Sequence, residues 1–366
     1  MRPLPQALRE AARRGRWTAE RMARLAAELP KVETHLHLDG ALTPETVLRL
    51  ARMSTDSPLR DLNVEEIRRK VVVDQPRASL AAVLAAFHAY YPLLRSAAAV
   101  ELSAYELARD CGRQKIMHAE VRFAPALQAT ADFPMKTVLD AALRGLKRGR
   151  ADFGVSSGVI ICLLRPFAVV DREANEAMSA LAVEYTGRGV AGLDVADAGP
   201  GDERLSEYGG WLRRGRAAGL GLTVHAGESP RGGEIEDALE IGVDRIGHGI
   251  ILRERPDLVK ELIRRGTVVE VSPTSNLRTG AVASYREHPV RAWMDAGLRV
   301  TLSTDDPGVF GIDLAHEYEA LSREAGFTAE ELVETAWNGL WSLFLPEKER
   351  AALAARFERD GAAALD

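Results

Sequence analysis

Two histidines one residue apart, His35 and His37, close a short apolar run near the start of the chain. Residues i and i+2 of an extended strand point to the same side, so both imidazoles can face one point, as two ligands of a single metal ion would. Three later segments end in the same manner: Val224-His225-Ala226-Gly227-Glu228, Gly247-His248-Gly249 and Ser303-Thr304-Asp305-Asp306-Pro307. One His or Asp at any of these places is more often a structural hydrogen-bonding group. A His pair, a His with a Glu, a further His and an Asp pair, all at strand ends, together read as a metal site. Imidazole plus carboxylate suits Zn²⁺, with Fe²⁺, Co²⁺ or Mn²⁺ also accommodated. Three imidazoles and one aspartate leave room for a water, whose pKa a bound cation lowers from 15.7 to about 7. A second metal usually needs a bridging acid or a modified Lys, and the run 190–196 has no Lys. One zinc ion per chain is therefore expected.

These side chains can converge only if the elements carrying them end on one face. Eight β-type runs rich in Val, Ile and Leu lie at 32–38, 116–123, 155–164, 190–196, 221–226, 245–249, 267–272 and 299–304. Amphipathic stretches such as 173–188, 206–218 and 253–265 lie between them. Strand then helix, repeated eight times, predicts an α/β fold, a (β/α)8 TIM barrel, with active residues at the C-terminal strand ends. Residues 41–115 exceed what one crossover needs and read as several helices (44–53, 63–71, 80–94 and 98–111), a helical insertion after strand 1 that could gate the site as a lid over about 41–112. Residues 1–30 form an N-terminal helical extension, read as one solvated helix over 8–29, and 31–366 a single barrel domain.

Composition bounds the rest. The chain has 366 residues, 46 % hydrophobic and 28 % charged, with a formal net charge of −5. That charge argues against general nucleic-acid binding. No apolar run reaches the roughly 18 residues of a membrane span, and the first thirty residues lack the apolar region of a signal peptide. Cys111 and Cys162 form no Cys-x-x-Cys pattern and read as buried small hydrophobes in a cytoplasmic protein. His88, His118, His288 and His316 read as structural, His288 beside Pro289 being the least clear.

The chain resembles the adenosine deaminase family of the amidohydrolase superfamily. The motifs that carry the resemblance are Lys31-Val32-Glu33-Thr34-His35-Leu36-His37-Leu38-Asp39-Gly40-Ala41, the three segments above, the second of them extended to Arg245-Ile246-Gly247-His248-Gly249, then Ser272-Pro273-Thr274-Ser275-Asn276, and Asp74-Gln75-Pro76 leading to Phe87 and Tyr91. The resemblance implies that His35, His37, His225 and Asp305 hold zinc. It implies that Glu228 gives a proton to purine N1, that His248 orients the attacking hydroxide and could accept its proton, and that Asp305 helps align it. Asp306 would bond purine N7 and Asp39 the ribose 5′-hydroxyl, where relatives acting on free adenine tend to carry Glu. The implied reaction is hydrolysis of the 6-amino group of adenosine or 2′-deoxyadenosine, giving the inosine product and ammonia.

One segment departs from the family pattern. After strand 4 the family usually reads Asp-Leu-Ala-Gly-Asp-Glu, the Gly amide bonding purine N3. Here Asp197 takes the Gly position and the loop to Glu203 is about four residues longer. Either Gly199 takes over or a carboxylate faces the purine edge. An unpaired buried carboxylate is costly, so Asp197 should have a donor, which the substrate could supply. That leaves room for another 6-aminopurine: a 5′-modified adenosine such as aminodeoxyfutalosine, or free adenine. A non-catalytic adenosine-binding protein would have no need of Glu228, His248 and Asp305 together.

Overall fold

A computed structural model describes residues 2–76, 80–197, 203–228 and 232–366. Eight parallel strands pair in chain order: β1 Lys31–His37, β2 Ile116–Phe123, β3 Ser156–Arg165, β4 Val190–Asp197, β5 Gly221–Ala226, β6 Arg245–His248, β7 Val268–Val271 and β8 Val300–Leu302. Helices alternate with them, as a (β/α)8 barrel requires. All eight expected runs are strands, each within two residues of the expected limits. The barrel closes just past the end of β8. There Asp305 bridges to Leu36, its N–H donating to the His35 carbonyl and its carbonyl accepting from the His37 N–H, both at 2.9 Å.

The barrel interior is more polar than runs of Val, Ile and Leu imply. Arg122 of β2, wholly buried, donates to Asp194 of β4 at 3.0 Å, to Glu270 of β7 at 2.9 Å and to the Thr34 carbonyl at 2.6 Å. Arg245 of β6 donates to the other Glu270 oxygen at 2.6 Å and lies over the Phe344 ring. Removing one member of such a buried set leaves an uncompensated charge and costs about 3–5 kcal/mol.

The expected helix of the N-terminal extension and one of the insertion are broken. The N-terminal segment is two helices, Gln6–Arg14 and Ala19–Glu28, the second starting at Thr18, whose hydroxyl caps the Arg21 N–H. They are not simply solvated: Leu8, Ala12, Met22, Leu25 and Ala26 enter the main core, and the Trp337 indole donates to the Arg2 carbonyl. Within the insertion, 80–94 divides into a short helix Leu80–Leu84 and two 3-10 turns, Ala85–Ala89 and Tyr91–Leu94. Pro92 has no N–H to continue a helix across that point. The insertion's other helices are Pro44–Met53, Val64–Val71 and Ala97–Arg113.

The insertion has its own apolar core, built from Val47, Leu50, Ile67, Val71, Phe87 and Tyr90 among others, and this core includes Val309 and Phe310. Those two residues belong to the short helix Pro307–Phe310 that directly follows Asp306. The Val73 N–H also donates to the Val309 carbonyl at 2.6 Å. The insertion is thus fastened to the segment that carries the Asp pair. Phe310→Ala should cost about 3–5 kcal/mol in chemical denaturation, with KM for substrate rising as the insertion loosens over the barrel mouth.

Candidate active site

Five of the expected side chains meet above the C-terminal ends of the strands. His35 Nε2 lies 3.1 Å from His225 Nε2, and His37 Nε2 lies 3.3 Å from it. Asp305 Oδ1 is 3.2 Å from both His35 Nε2 and His37 Nε2. In a tetrahedral zinc shell with bonds of about 2.0–2.1 Å, neighbouring ligand atoms stand roughly 3.3–3.4 Å apart. Asp305 Oδ1 is also buried and makes no well-aligned hydrogen bond among the described residues, a costly state for a carboxylate oxygen unless a cation faces it. The donor set therefore fits a divalent ion. His248 also comes within 4.8 Å of His35, His225 and Asp305. Its Nε2, however, is 4.0 Å from Asp305 Oδ2 and 3.7 Å from Glu228 Oε2, so it stands beside the tight set.

The ring nitrogens on the far side are held by carboxylates. His35 Nδ1 donates to Glu270 at 2.8 Å and His225 Nδ1 to Asp194 at 3.0 Å. These bonds fix the tautomer that turns each Nε2 lone pair to the centre. Against the cost of burial, Arg122 and Arg245 keep Glu270 well below the usual carboxylate range, and His225 and Arg122 do the same for Asp194. The other oxygen of this carboxylate, Asp305 Oδ2, accepts from Ser275 at 2.7 Å. His248 and Asp305 both adopt φ 64, the left-handed region that side chains rarely occupy. Such backbone is retained where the surroundings hold it in place, often at functional sites.

A cavity of about 230 Å³ opens onto this cluster, lined on its polar side by His37, Asp39, Asp197, Glu228, His248, Asp305 and Asp306. Leu84, Phe87, Leu127 and Leu164 supply apolar wall. Glu228 is 7 % exposed, and burial with the nearby charges of Asp305 and Asp197 pushes its carboxyl up to about 8. Burial and Asp305 likewise hold the Asp306 carboxyl well above its ordinary value. Burial and neighbouring carboxylates thus bias both cavity carboxyls towards their neutral form. Asp306 owes its place to Gly40: a Cβ there would fall 1.7 Å from Asp306 Oδ1. Asp39 accepts from the Tyr91 hydroxyl at 2.8 Å, and Tyr90 donates to the Asp39 carbonyl at 3.0 Å, so the insertion grips this residue twice.

Asp197 does have a donor, and it is on the protein. Arg165, at the end of β3 and 1 % exposed, reaches Asp197 at 2.5 Å, Glu234 at 2.7 Å and the His225 carbonyl at 3.1 Å. Glu234 in turn accepts from the Gly227 N–H at 2.7 Å. The pair replaces the expected carboxylate in need of a substrate donor, because β3 and β4 align Arg165 directly with Asp197. Gly199 lies outside the described residues. His88, expected to be structural, instead lines the cavity from an exposed position on the insertion. His118 and His316 are away from the site, bonded to Ser156 and Tyr285.

The roles of Arg165, Glu270 and Asp194 are not legible in the sequence. Tyr91, Ser275 and Asn276 lie within motifs that carry the resemblance, without an assigned contact. The Gly40 contact yields a direct expectation. Gly40→Ala should drive Asp306 from the cavity and lower kcat by about 10²-fold or more, while bound metal, measured by elemental analysis, stays at the wild-type ratio.

Comparison with known proteins agrees with the geometry. A sequence profile described as adenosine deaminase matches residues 30–359. An adenosine deaminase of Klebsiella pneumoniae is 34% identical over 335 residues, covering 90% of this chain and 98% of its own. Among solved structures, the adenine deaminase of Arthrobacter aurescens superposes with a TM-score of 0.78 at 27% identity, over 90% of this chain and 98% of that one. An amidohydrolase from Burkholderia ambifaria, determined with bound Zn, gives a TM-score of 0.77 at 25% identity, over 96% and 94% of the two chains. The chain belongs to the adenosine deaminase family and is a hydrolytic deaminase of adenosine-like substrates.

Proposed function

We propose that the protein hydrolyses the 6-amino group of adenosine and 2′-deoxyadenosine, with one zinc ion held by His35, His37, His225 and Asp305. The observation that carries this reading is Glu228: a buried carboxyl raised to about 8, on the wall of a small cavity beside the ligand cluster. Such a group is an acid at neutral pH, as protonation of a purine ring nitrogen requires. A bound zinc ion would supply water activated at neutral pH. The protein's own residues do the rest. Glu228 donates to N1 and makes C6 electrophilic. Asp306, whose carboxyl burial and Asp305 hold well above its ordinary value, would donate to N7, a nitrogen that can only accept. His248 and Asp305 hold the incoming water oxygen on the C6 side. Addition at C6 and return of a proton to the exocyclic nitrogen release ammonia and leave the 6-oxopurine.

Two features favour a nucleoside. Asp39 is held by Tyr90 and Tyr91 at the cavity wall, where it can take the 5′-hydroxyl. Among the described residues lining the cavity there is no Lys or Arg to meet a 5′-phosphate. The Arg165–Asp197 pair removes the need for an unusual donor on the purine, which favours plain adenosine over a modified base.

The test is a substrate panel on purified, metal-analysed protein. Adenosine and 2′-deoxyadenosine should shift to the inosine ultraviolet spectrum with stoichiometric ammonia; adenine, adenosine 5′-phosphate and 5′-substituted adenosines should be poor. Turnover of adenine or a 5′-modified nucleoside with adenosine inert would overturn the nucleoside assignment. Glu228→Gln should lower kcat by about 10²–10⁴-fold. The active form of Glu228 is protonated, so kcat/KM should hold on the acid side of about 8 and fall as pH rises through it.

A further inference from the structure

His248 is held from behind by a chain of hydrogen bonds whose direction can be worked out from one fixed donor. The Val290 backbone N–H, in the first turn of the helix Val290–Asp295, points at His288 Nδ1 at 3.1 Å. A backbone N–H can only donate, so Nδ1 of His288 is the acceptor. The ring is 3 % exposed and burial holds it in the neutral form. A neutral imidazole that accepts at one nitrogen carries its proton on the other. His288 Nε2 therefore donates, and the atom it meets at 3.2 Å is Asn276 Oδ1. The carboxamide is thereby oriented without ambiguity, and its Nδ2 faces His248 Nδ1 at 3.1 Å. An amide nitrogen donates, so His248 Nδ1 accepts. Asn276 and His248 are both buried, at 0 % and 1 % exposed, so solvent offers neither group an alternative partner.

We infer that Asn276 and His288 are positioning residues that set the tautomer of His248, so that His248 presents an N–H, not a bare nitrogen, to the reacting centre. The hydrogen sits on Nε2, the atom that lies between Glu228 and Asp305. In this state His248 is a hydrogen-bond donor to the water oxygen. It cannot accept a proton there until it has given one up. Its part in the reaction is orientation and stabilisation of oxygen charge, with the ring charge-neutral at the start. The inference rests on the proposed deaminase site for its kinetic consequence, but the tautomer follows from the hydrogen-bond directions alone.

Two variants separate positioning from mere packing. Asn276→Asp keeps the shape but only accepts, which reverses the bond to His248 and turns the proton to Nδ1. His288→Leu fills the space and frees the Asn276 amide to turn over. Both should lower kcat by about 10²-fold or more, with KM changed by less than about threefold. His288→Gln, which restores a donor to Asn276, should recover most of the loss. The direct readout is ¹⁵N NMR of the zinc-loaded protein with labelled histidine: His248 should show a bare Nδ1 and a protonated Nε2, and Asn276→Asp should invert or abolish that pattern. A wild-type spectrum with the proton on Nδ1, or variants with wild-type kcat, would overturn the inference. Wild-type protein inert towards the substrate panel would instead refute the proposed function, leaving the spectrum to decide the tautomer.

Discussion

Everything at this site hangs on how the barrel closes. β8 ends at Leu302 and forms no long ladder with β1. The join is made by Asp305, whose main chain bonds on both sides of Leu36, to the His35 carbonyl and the His37 N–H. The same residue offers its carboxylate to the histidines on either side of that point. Closing the fold and bringing the candidate ligand set together are thus one event, and the left-handed backbone of Asp305 is part of how it is achieved. From that junction the chain runs straight into Asp306, placed against Gly40, and into the Val309–Phe310 segment that anchors the insertion.

The charged barrel interior follows from the same requirement. Imidazoles whose Nε2 lone pairs face inward need acceptors behind them, here Glu270 and Asp194. Buried carboxylates in turn need cations, and Arg122 and Arg245 provide them. The network makes a poor stabiliser compared with apolar packing of equal volume. Its function is orientation: each layer fixes the direction of the one above, from Arg to carboxylate to imidazole. The Val290–His288–Asn276 chain does the same for His248 using neutral groups.

The strands and the His/Asp cluster of the candidate site were legible in the sequence because both are written as short-range patterns. His35 and His37 share a strand face two residues apart, and His225, His248 and Asp305 each close an apolar run. What lies behind them was not legible. Arg165 and Asp197 are 32 residues apart and meet through the β3–β4 register. Arg122 and Glu270 sit in runs that read as apolar and are brought together only by barrel curvature. His288 and Asn276 are 12 residues apart across a helix end and a turn, a contact no periodicity encodes. The breaks at Gly15–Thr18 and at Pro92 were signalled locally and outweighed by the helical pattern on either side. His88 read as structural, since nothing local tells which way an insertion folds over a barrel.

The bridge between Leu36 and Asp305 has a consequence for biosynthesis. The two residues are far apart in the chain, yet the site needs both. A ribosome adding roughly 5–20 residues per second delivers His35 and His37 on the order of tens of seconds before Asp305 exists. Throughout that interval the early histidines, which lie in the first strand, have neither their carboxylate partner nor the edge that would seal the barrel. A metal ion held there by a nascent chain would have only an incomplete and exposed shell. On the proposed zinc reading, secure loading would belong to the last stage of folding, after most of the chain has been made.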